Sequence, residues 1–211
     1  MNVHKYQNMN DFLLYRSYIQ SLGDFFELNC DINHDFIKEY CYHSQNNLVD
    51  YYLPRTKGIA LTNLTGEHDA SGFIPLSKNN YNEMDFTSQT QAYRESGMCD
   101  LLDKFNNDLG RSHILNTQQG GGFYPHRDGP KLSAPKEETF RLIYCIDACD
   151  ENNMHFGFEN RIILPMVNGK LYYVNTVKKH SQISFNDNCF FTVINIAITK
   201  ESYIALRRLM K

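Results

Sequence analysis

Tryptophan is absent from this chain of 211 residues, and the marks of several protein classes are missing with it. No apolar run approaches the roughly 20 residues that a membrane-spanning helix needs. The six cysteines form no Cys-x-x-Cys pair, so their spacing does not indicate a zinc site. The first residues lack a basic segment followed by an apolar core, which is the mark of a secretory signal. From these absences we expect a cytoplasmic protein with reduced thiols.

A strong excess of charge of either sign is also lacking. The formal net charge is -3 and the isoelectric point is near 6.2, which provides no broad electrostatic reason to expect nucleic acid as a partner. What the chain does have is 42% hydrophobic and 13% aromatic residues, the composition of a globular protein. A length of 211 residues suits one sizeable core better than two. We therefore predict a single domain over residues 1–211, with neither nucleic acid nor a membrane as its partner.

The two parts of the chain differ in residue pattern. The N-terminal portion, residues 1–110, has apolar residues at helical spacing in three stretches, with loops and short strands between them: 11–22, 31–42 and 88–109. The next portion, residues 111–199, contains seven short segments rich in β-branched and aromatic residues: 111–118, 122–128, 139–147, 154–160, 161–167, 170–176 and 189–198. Asn168-Gly169 between two of them is typical of a hairpin turn, and residues 200–211 indicate a C-terminal helix. These patterns predict a mainly β protein with flanking helices (α+β): a double-stranded β-helix, or cupin-like jelly roll, with a helical N-terminal portion.

Two histidines and one aspartate form the most informative pattern. His126 and Asp128 are two residues apart in a predicted strand, and side chains at i and i+2 of an extended chain point the same way. His180 follows 52 positions after Asp128, which leaves room for several strands to run out and back. Two imidazoles and one carboxylate on one face of an iron(II) octahedron are the ligands of non-haem iron oxygenases. These three residues are therefore the candidate metal ligands and the candidate catalytic centre.

Each part of this pattern also has a plainer explanation. His126 and Asp128 suit a solvated turn in which the carboxylate caps a backbone amide. His180 lies beside two lysines, as in a solvated basic turn. His155, in the middle of an alternating strand pattern, is predicted to pack or to face a polar surface rather than to bind metal.

The segments around these residues resemble the iron(II)/2-oxoglutarate-dependent oxygenases, most closely the aspartyl/asparaginyl β-hydroxylase and proline hydroxylase group. The resemblance spans Ile114 to Ile198 and is carried by GGGFYPHRDG, FRLIYCID, GKLYYVNTVKKHS and FFTVINIAI. It implies that iron(II), 2-oxoglutarate and dioxygen are the cofactors, with His126, Asp128 and His180 as iron ligands. The implied reaction is hydroxylation of an unactivated C–H bond in an amino acid, free or within a peptide. It also implies that residues 1–110 shape the substrate pocket and that residues 111–199 carry the metal site.

One departure from that family concerns the far carboxylate of 2-oxoglutarate. Many members bind it with an arginine about ten positions after the distal histidine, but here no Arg or Lys lies between His180 and Lys200. A buried carboxylate without a partner is costly, so another cation must replace that arginine. We predict Arg141, on the strand after the His-Asp segment, because a guanidinium can hold a carboxylate through two hydrogen bonds. The alternative is that Arg141 faces solvent or pairs with Glu137 or Glu138.

Three further residues are candidates for co-substrate binding. Tyr124, two positions before His126 and so expected on the same face, is predicted to donate a hydrogen bond to the same carboxylate unless it packs in the core. Thr192 and Asn195, on the last predicted strand, are weaker candidates. Two other functions fit the same fold: a cupin-like enzyme that uses a different metal for isomerisation or hydrolysis, and a non-catalytic jelly-roll binding module.

Overall fold

Two antiparallel β-sheets, joined by an apolar core, form the centre of the protein. The structure is a computed structural model that describes residues 9–76, 81–128, 139–159 and 163–210. Its strands are β1 (Phe25–Leu28), β2 (Val49–Asp50), β3 (Thr56–Ala60), β4 (Thr62–Asn63), β5 (Ser88–Gln89), β6 (Leu109–Thr117), β7 (Gly122–His126), β8 (Thr139–Asp147), β9 (Met154–Phe158), β10 (Leu171–Val174), β11 (His180–Ser184) and β12 (Cys189–Ala197). The large sheet has the order β1-β10-β8-β12-β6-β3-β2, the small sheet β7-β11-β9, and β4 pairs with β5 alone.

The helices pack on the outer face of the large sheet. They are α1 (Met9–Ser21), α2 (His34–His43), α3 (Gln91–Glu95), α4 (Cys99–Leu102) and α5 (Lys200–Leu209), with short 3-10 turns at Gln45–Asn47, Ala70–Phe73, Glu83–Asp85 and Asp103–Asp108. Thr199 caps α5 with a hydroxyl that accepts from the amide of Ser202, which satisfies one of the free amides at the helix start. No helix within the described ranges combines the length and the apolar character needed to cross a membrane.

Two apolar clusters account for the layering. One lies between the large sheet and the helices and includes Ile37, Leu101 and Leu206. The other lies between the sheets and joins residues such as Phe191 of the large sheet with Phe156 of the small one. The predicted jelly roll with flanking helices is confirmed by this arrangement. The long strands β8 and β12 are apolar on both faces because each face meets one of the clusters.

Two predicted elements are wrong. The stretch 88–109 is not one helix but β5, α3, α4 and a 3-10 turn, because Gly97 takes a left-handed conformation (φ +78°) and ends the first helical segment. The stretch 163–167 is not a strand, apart from a single bridge between Ile163 and Gly157. Its residues Leu164 and Met166 are buried, so their apolar character reflects burial in the core rather than strand pairing. The turn at Gly169 therefore bonds to Cys145 of β8 and does not join two paired strands.

Candidate metal centre

The three predicted metal ligands converge at one end of the small sheet. His126 ends β7, His180 begins β11, and the two lie directly opposite each other in the antiparallel pairing. Asp128 follows β7, and its amide donates to the carbonyl of Thr176. The Nε2 atoms of His126 and His180 lie 3.2 Å and 3.4 Å from carboxylate oxygens of Asp128. One ligand atom from each residue lies within 4.8 Å of the other two, so the three can hold one ion.

The elements that carry these residues differ from the sequence prediction. Asp128 lies just beyond β7 rather than inside it, and His180 begins a strand that was not predicted at all. The segment His180–Ser184 escaped prediction because its polar residues Ser181 and Gln182 interrupt the β-branched and aromatic pattern that marks the other strands. Gly129, the last residue of the motif, lies outside the described residues.

Hydrogen bonds to the main chain orient both imidazole rings. The Nδ1 atom of His126 lies 2.9 Å from the carbonyl oxygen of Tyr124, and the Nδ1 atom of His180 lies 2.9 Å from that of Lys178. A carbonyl oxygen only accepts, so each Nδ1 carries the hydrogen and each Nε2 keeps its lone pair. Metal-binding histidines are oriented by the same kind of contact.

Burial keeps the two rings neutral. His180 is only 2% exposed, and burial lowers its pKa to about 4, against the opposing hydrogen bond to Lys178 and with the help of the positive charge of Arg141. Burial also lowers the pKa of His126, and Arg141 adds to the effect. Near neutral pH both Nε2 atoms can therefore bind a metal without first losing a proton. Two neutral imidazoles and a carboxylate suit iron(II), so the residues present fit that ion.

Aromatic rings pack against the two histidines. Phe123 meets both rings edge-on, at centroid distances of 5.0 Å from His126 and 5.6 Å from His180. Phe156 stacks on His180 at 5.7 Å with an interplanar angle of 13°. These contacts restrict the rotation of the imidazoles and exclude water from the ring of His180, whereas the side chain of His126 is 42% exposed.

Tyr124 points away from this site, contrary to the prediction. Its side chain is 85% exposed and does not line the cavity beside the histidines. The cause is a β-bulge: between the pairs His126–His180 and Phe123–Gln182, β7 has two residues where β11 has one. The extra residue breaks the alternation, so Phe123 rather than Tyr124 shares the inner face with His126.

A cavity of about 420 Å³ opens beside the three candidate ligands. This volume suits a small organic molecule. Its polar lining comes from both the N-terminal part and the jelly roll and includes Tyr51, Glu83, Arg111, His113, Arg127 and Arg141.

Arg141 lines the cavity but already has three partners. Its Nε donates to Asn195 (2.6 Å), its Nη2 donates to Glu83 (3.1 Å), and its Nη1 forms an ion pair with Asp128. The side chain is 15% exposed, so it does not face solvent. Its predicted alternative partners, Glu137 and Glu138, lie outside the described residues. Arg141 thus acts on the carboxylate of Asp128 in this structure.

The two weaker candidates on β12 occupy opposite faces of the strand. Thr192 is fully buried away from the cavity, where its hydroxyl accepts from the amide of Tyr144 at 3.0 Å, so it is not placed to contact a ligand there. Asn195 lines the cavity, but its amide group joins Arg141 to the carbonyl of Arg111. The side chain of Asn195 thereby positions the main chain at Arg111 and the guanidinium of Arg141.

Three polar residues of the cavity were missed in the sequence. Arg111 and His113 alternate with Ser112 and Ile114 along β6, in which all nine residues are buried. Two ionisable side chains two positions apart, in a nine-residue segment that also holds Leu109, Ile114 and Leu115, are the sequence signal for a polar cavity on one face of this strand. Glu83 lies in a 3-10 turn with no motif around it, and only the packing of this turn on β6 brings it to the site.

No protein-family model matches the chain, and no curated protein matches it either. Among solved structures, HygX from Streptomyces hygroscopicus with nickel and 2-oxoglutarate bound is similar, with 11% identity and a TM-score of 0.52 over 88% of this chain and 87% of that chain. HygX with nickel, 2-oxoglutarate and hygromycin B bound is similar over the same shares, with 10% identity and a TM-score of 0.51. A prolyl-4-hydroxylase from Pseudomonas putida is less similar, with 7% identity and a TM-score of 0.47 over 88% of this chain and 99% of that chain. At these identities, the likeness to HygX shows that this chain shares its fold.

Proposed function

We propose that this protein is an iron(II)- and 2-oxoglutarate-dependent oxygenase. The observation that carries the proposal is the convergence of His126, Asp128 and His180 within 4.8 Å, beside a cavity of about 420 Å³. The fold shared with HygX supports it, because HygX binds nickel and 2-oxoglutarate. When bound, iron(II) with 2-oxoglutarate and dioxygen supplies the hydroxylation of an unactivated C–H bond, with decarboxylation of 2-oxoglutarate to succinate.

The residues of the chain have separate tasks in this proposal. His126 and His180 hold the metal through Nε2, since each Nδ1 is bonded to the main chain. Asp128 provides the carboxylate, and the ion pair with Arg141 fixes its orientation. Phe123 and Phe156 exclude water next to His180, which shields that side of a reactive centre from solvent. The carboxylate at position 128 favours hydroxylation over halogenation, because halogenases of this superfamily lack it to make room for halide.

The proposed substrate is an amino acid, free or within a peptide. Tyr52 and Arg127, both exposed at the edge of the cavity, lie where such a molecule would enter. We propose neither nucleic acid nor a membrane as a partner, and we place the protein in the cytoplasm.

Succinate release tests the proposed reaction. Purified protein is incubated in air with iron(II), ascorbate and 2-oxoglutarate, alone and with a panel of amino acids and short peptides. We expect succinate from the wild type and none from His180→Ala, which removes one of three metal ligands. The matched control is His155→Ala, because His155 packs edge-on against Phe185 at 4.7 Å and does not line the cavity.

The outcomes separate the proposal from its two rivals. If the protein binds metal but releases no succinate with any substrate of the panel, a cupin-like isomerase or hydrolase would be favoured. A wild-type protein that takes up no metal would favour a non-catalytic binding module. Equal succinate release by His180→Ala and wild type would contradict the assigned ligands.

A further inference from the structure

Arg111 is a buried cation with an unused hydrogen-bond donor. Its side chain lines the cavity, and the residue is 2% exposed. Its Nε donates to the carbonyl of Gly72 at 2.7 Å, while its Nη2 has no hydrogen-bond partner among the residues that the structure describes. The guanidinium carbon lies 5.9 Å from the ring centre of Tyr51 and 5.1 Å from that of Phe86. The aromatic faces attract the charge, but they do not satisfy its N–H groups.

A buried cation with an unused donor raises the free energy of the folded protein unless an anion pairs with it. A buried guanidinium keeps its charge at every accessible pH, so it cannot relieve the cost by losing a proton. The carboxylates that line the cavity, Glu83 and Asp128, both form ion pairs with Arg141, and none with Arg111 within the described ranges. A ligand is therefore the natural source of the missing anion.

The neighbouring His113 also has a buried polar atom without a hydrogen-bond partner among the described residues. His113 is 3% exposed, lies two residues along β6 from Arg111, and its Nδ1 has no hydrogen-bond partner in the part of the chain that the structure describes. Burial lowers its pKa well below the ordinary value, and the charges of Arg111 and Arg141 lower it further, so both guanidinium groups act on this ring. Its ring packs between Tyr51 and Phe73, at centroid distances of 5.5 Å and 5.7 Å. Two unsatisfied polar side chains thus share one end of the cavity.

The charges of the cavity indicate the charge of the missing ligand. Among the described residues, its largely buried charged side chains are two guanidinium groups, on Arg111 and Arg141, and two carboxylates, on Glu83 and Asp128, and these charges cancel. A divalent metal at the candidate centre leaves two positive charges in excess. A dicarboxylate removes that excess, and a monocarboxylate does not.

The two arginines lie at a suitable separation for such a ligand. Arg141 on β8 pairs with Asn195 on β12, whose side chain also bonds to the main chain of Arg111 on β6. The arginines are therefore two strands apart, or about 10 Å between their Cα atoms at the usual strand spacing. Arg141 is close to the metal ligand Asp128, and Arg111 is farther along the same row. A diacid bound to the metal at one end can extend along this row toward Arg111.

We propose that Arg111, with the ring of His113 beside it, binds the far carboxylate of 2-oxoglutarate. Arg141, which the sequence predicts for that task, instead positions Asp128. This inference rests on the proposed function and identifies the residue on which co-substrate choice depends. The last strand, β12, contains no basic residue, so an arginine on β6 binds this carboxylate instead.

The test compares two 2-oxo acids that differ only in the far carboxylate. Binding of 2-oxoglutarate and of 2-oxobutyrate is measured by calorimetry on protein loaded with manganese(II), with iron and reductant left out so that no turnover interferes. Wild type is compared with Arg111→Gln, with Arg111→Lys and with the matched control Arg94→Gln, an exposed arginine on α3 that does not line the cavity. Melting temperatures are recorded without either acid.

We expect wild type and Arg94→Gln to prefer 2-oxoglutarate by about 30-fold or more, as a charge-assisted pair in a buried site provides. In Arg111→Gln the preference for 2-oxoglutarate falls to about threefold or less, while the affinity for 2-oxobutyrate is unchanged. Arg111→Lys keeps part of the preference for 2-oxoglutarate. The melting temperature of Arg111→Gln without ligand equals or exceeds that of wild type, since a cation without a partner is removed.

A full preference for 2-oxoglutarate in Arg111→Gln would overturn the assignment. An unfolded or strongly destabilised Arg111→Gln would also count against it, because it would mean that the cation is already stabilised in the empty cavity. Failure of metal-loaded wild type to bind 2-oxoglutarate at all would instead contradict the proposed function.

Discussion

Asp147, at the end of β8, shows how a single carboxylate connects a helix to the sheet. Its oxygens accept hydrogen bonds from Lys38 (2.9 Å) and Tyr42 (2.7 Å), both on α2. Burial alone raises the pKa of Asp147, but the bonds from Tyr42 and Lys38 outweigh it, and the net effect lowers the pKa below its ordinary value of 3.8. Because the folded pKa is the lower one, the ionised carboxylate stabilises the fold above about pH 4. This contribution is lost as the pH falls through the folded pKa.

Asp147→Asn tests that contribution. At pH 7 we expect the free energy of unfolding to fall by on the order of 1 kcal/mol, as for a hydrogen-bonded charged group at a partly exposed site. The difference from wild type should shrink as the pH falls below about 4. Urea unfolding at a series of pH values measures it. The control is Glu151→Gln, because this exposed carboxylate in the following turn forms no ion pair within the described ranges. A pH-independent difference would contradict the interpretation.

At the scale of elements, the pairing of β7 with β11 brings His126 opposite His180. Gly122 begins β7 with a φ of +135°, and a Cβ at this position would overlap the carbonyl oxygen of Gln182 on β11. Glycine therefore allows both the left-handed conformation and the close approach of the two strands. The position of His126 depends on this approach.

Gly122→Ala should displace β7. Backbone strain at a positive φ costs about 1–3 kcal/mol, and the overlap with Gln182 adds roughly 1–3 kcal/mol of overpacking. We also expect weaker manganese(II) binding, since His126 moves with the strand. Urea unfolding and calorimetry measure the two effects.

Gly23→Ala is the matched control for the glycine substitution. Gly23 has a similar φ of +111°, but a Cβ there would have no neighbour within 4 Å. Gly23→Ala should lose stability only through backbone strain, and it should bind manganese(II) as the wild type does. Equal losses of stability and of metal affinity in the two variants would show that close strand approach is unimportant.

For the whole molecule, metal binding and folding are linked, because the three candidate ligands come together only in the folded chain. Manganese(II) at 100 times its dissociation constant should stabilise the protein by about 2.7 kcal/mol. For a chain of this size, that corresponds to a rise in melting temperature of about 5–10 °C. Thermal unfolding with manganese(II) and with a chelator measures the shift. His180→Ala should lose it, whereas the same shift in that variant would place the metal elsewhere.

The three candidate metal ligands are the part of the site that the sequence predicted. The structure brings His126, Asp128 and His180 to one point, although Asp128 lies just beyond β7, so the strand geometry that motivated the prediction describes His126 and not Asp128. The strand segments of residues 111–199 predict the jelly roll, since alternation and turn residues act over short distances. The resemblance to the oxygenases added a reason to connect the distant His180 with this pair.

Contacts between distant segments decided the rest. The β-rich half, the helices before and after it and the short His-x-Asp motif could all be predicted from local sequence, because these depend on the conformation of neighbouring residues. Long-range packing turns Tyr124 outward at a bulge and brings Glu83 to the cavity from a distant turn. It also leaves Arg111, rather than Arg141, with a donor that has no partner among the described residues. The physical reason is that strand register and strand neighbours arise from pairing across the sheet, and the free energy of a buried charge depends on every group that surrounds it.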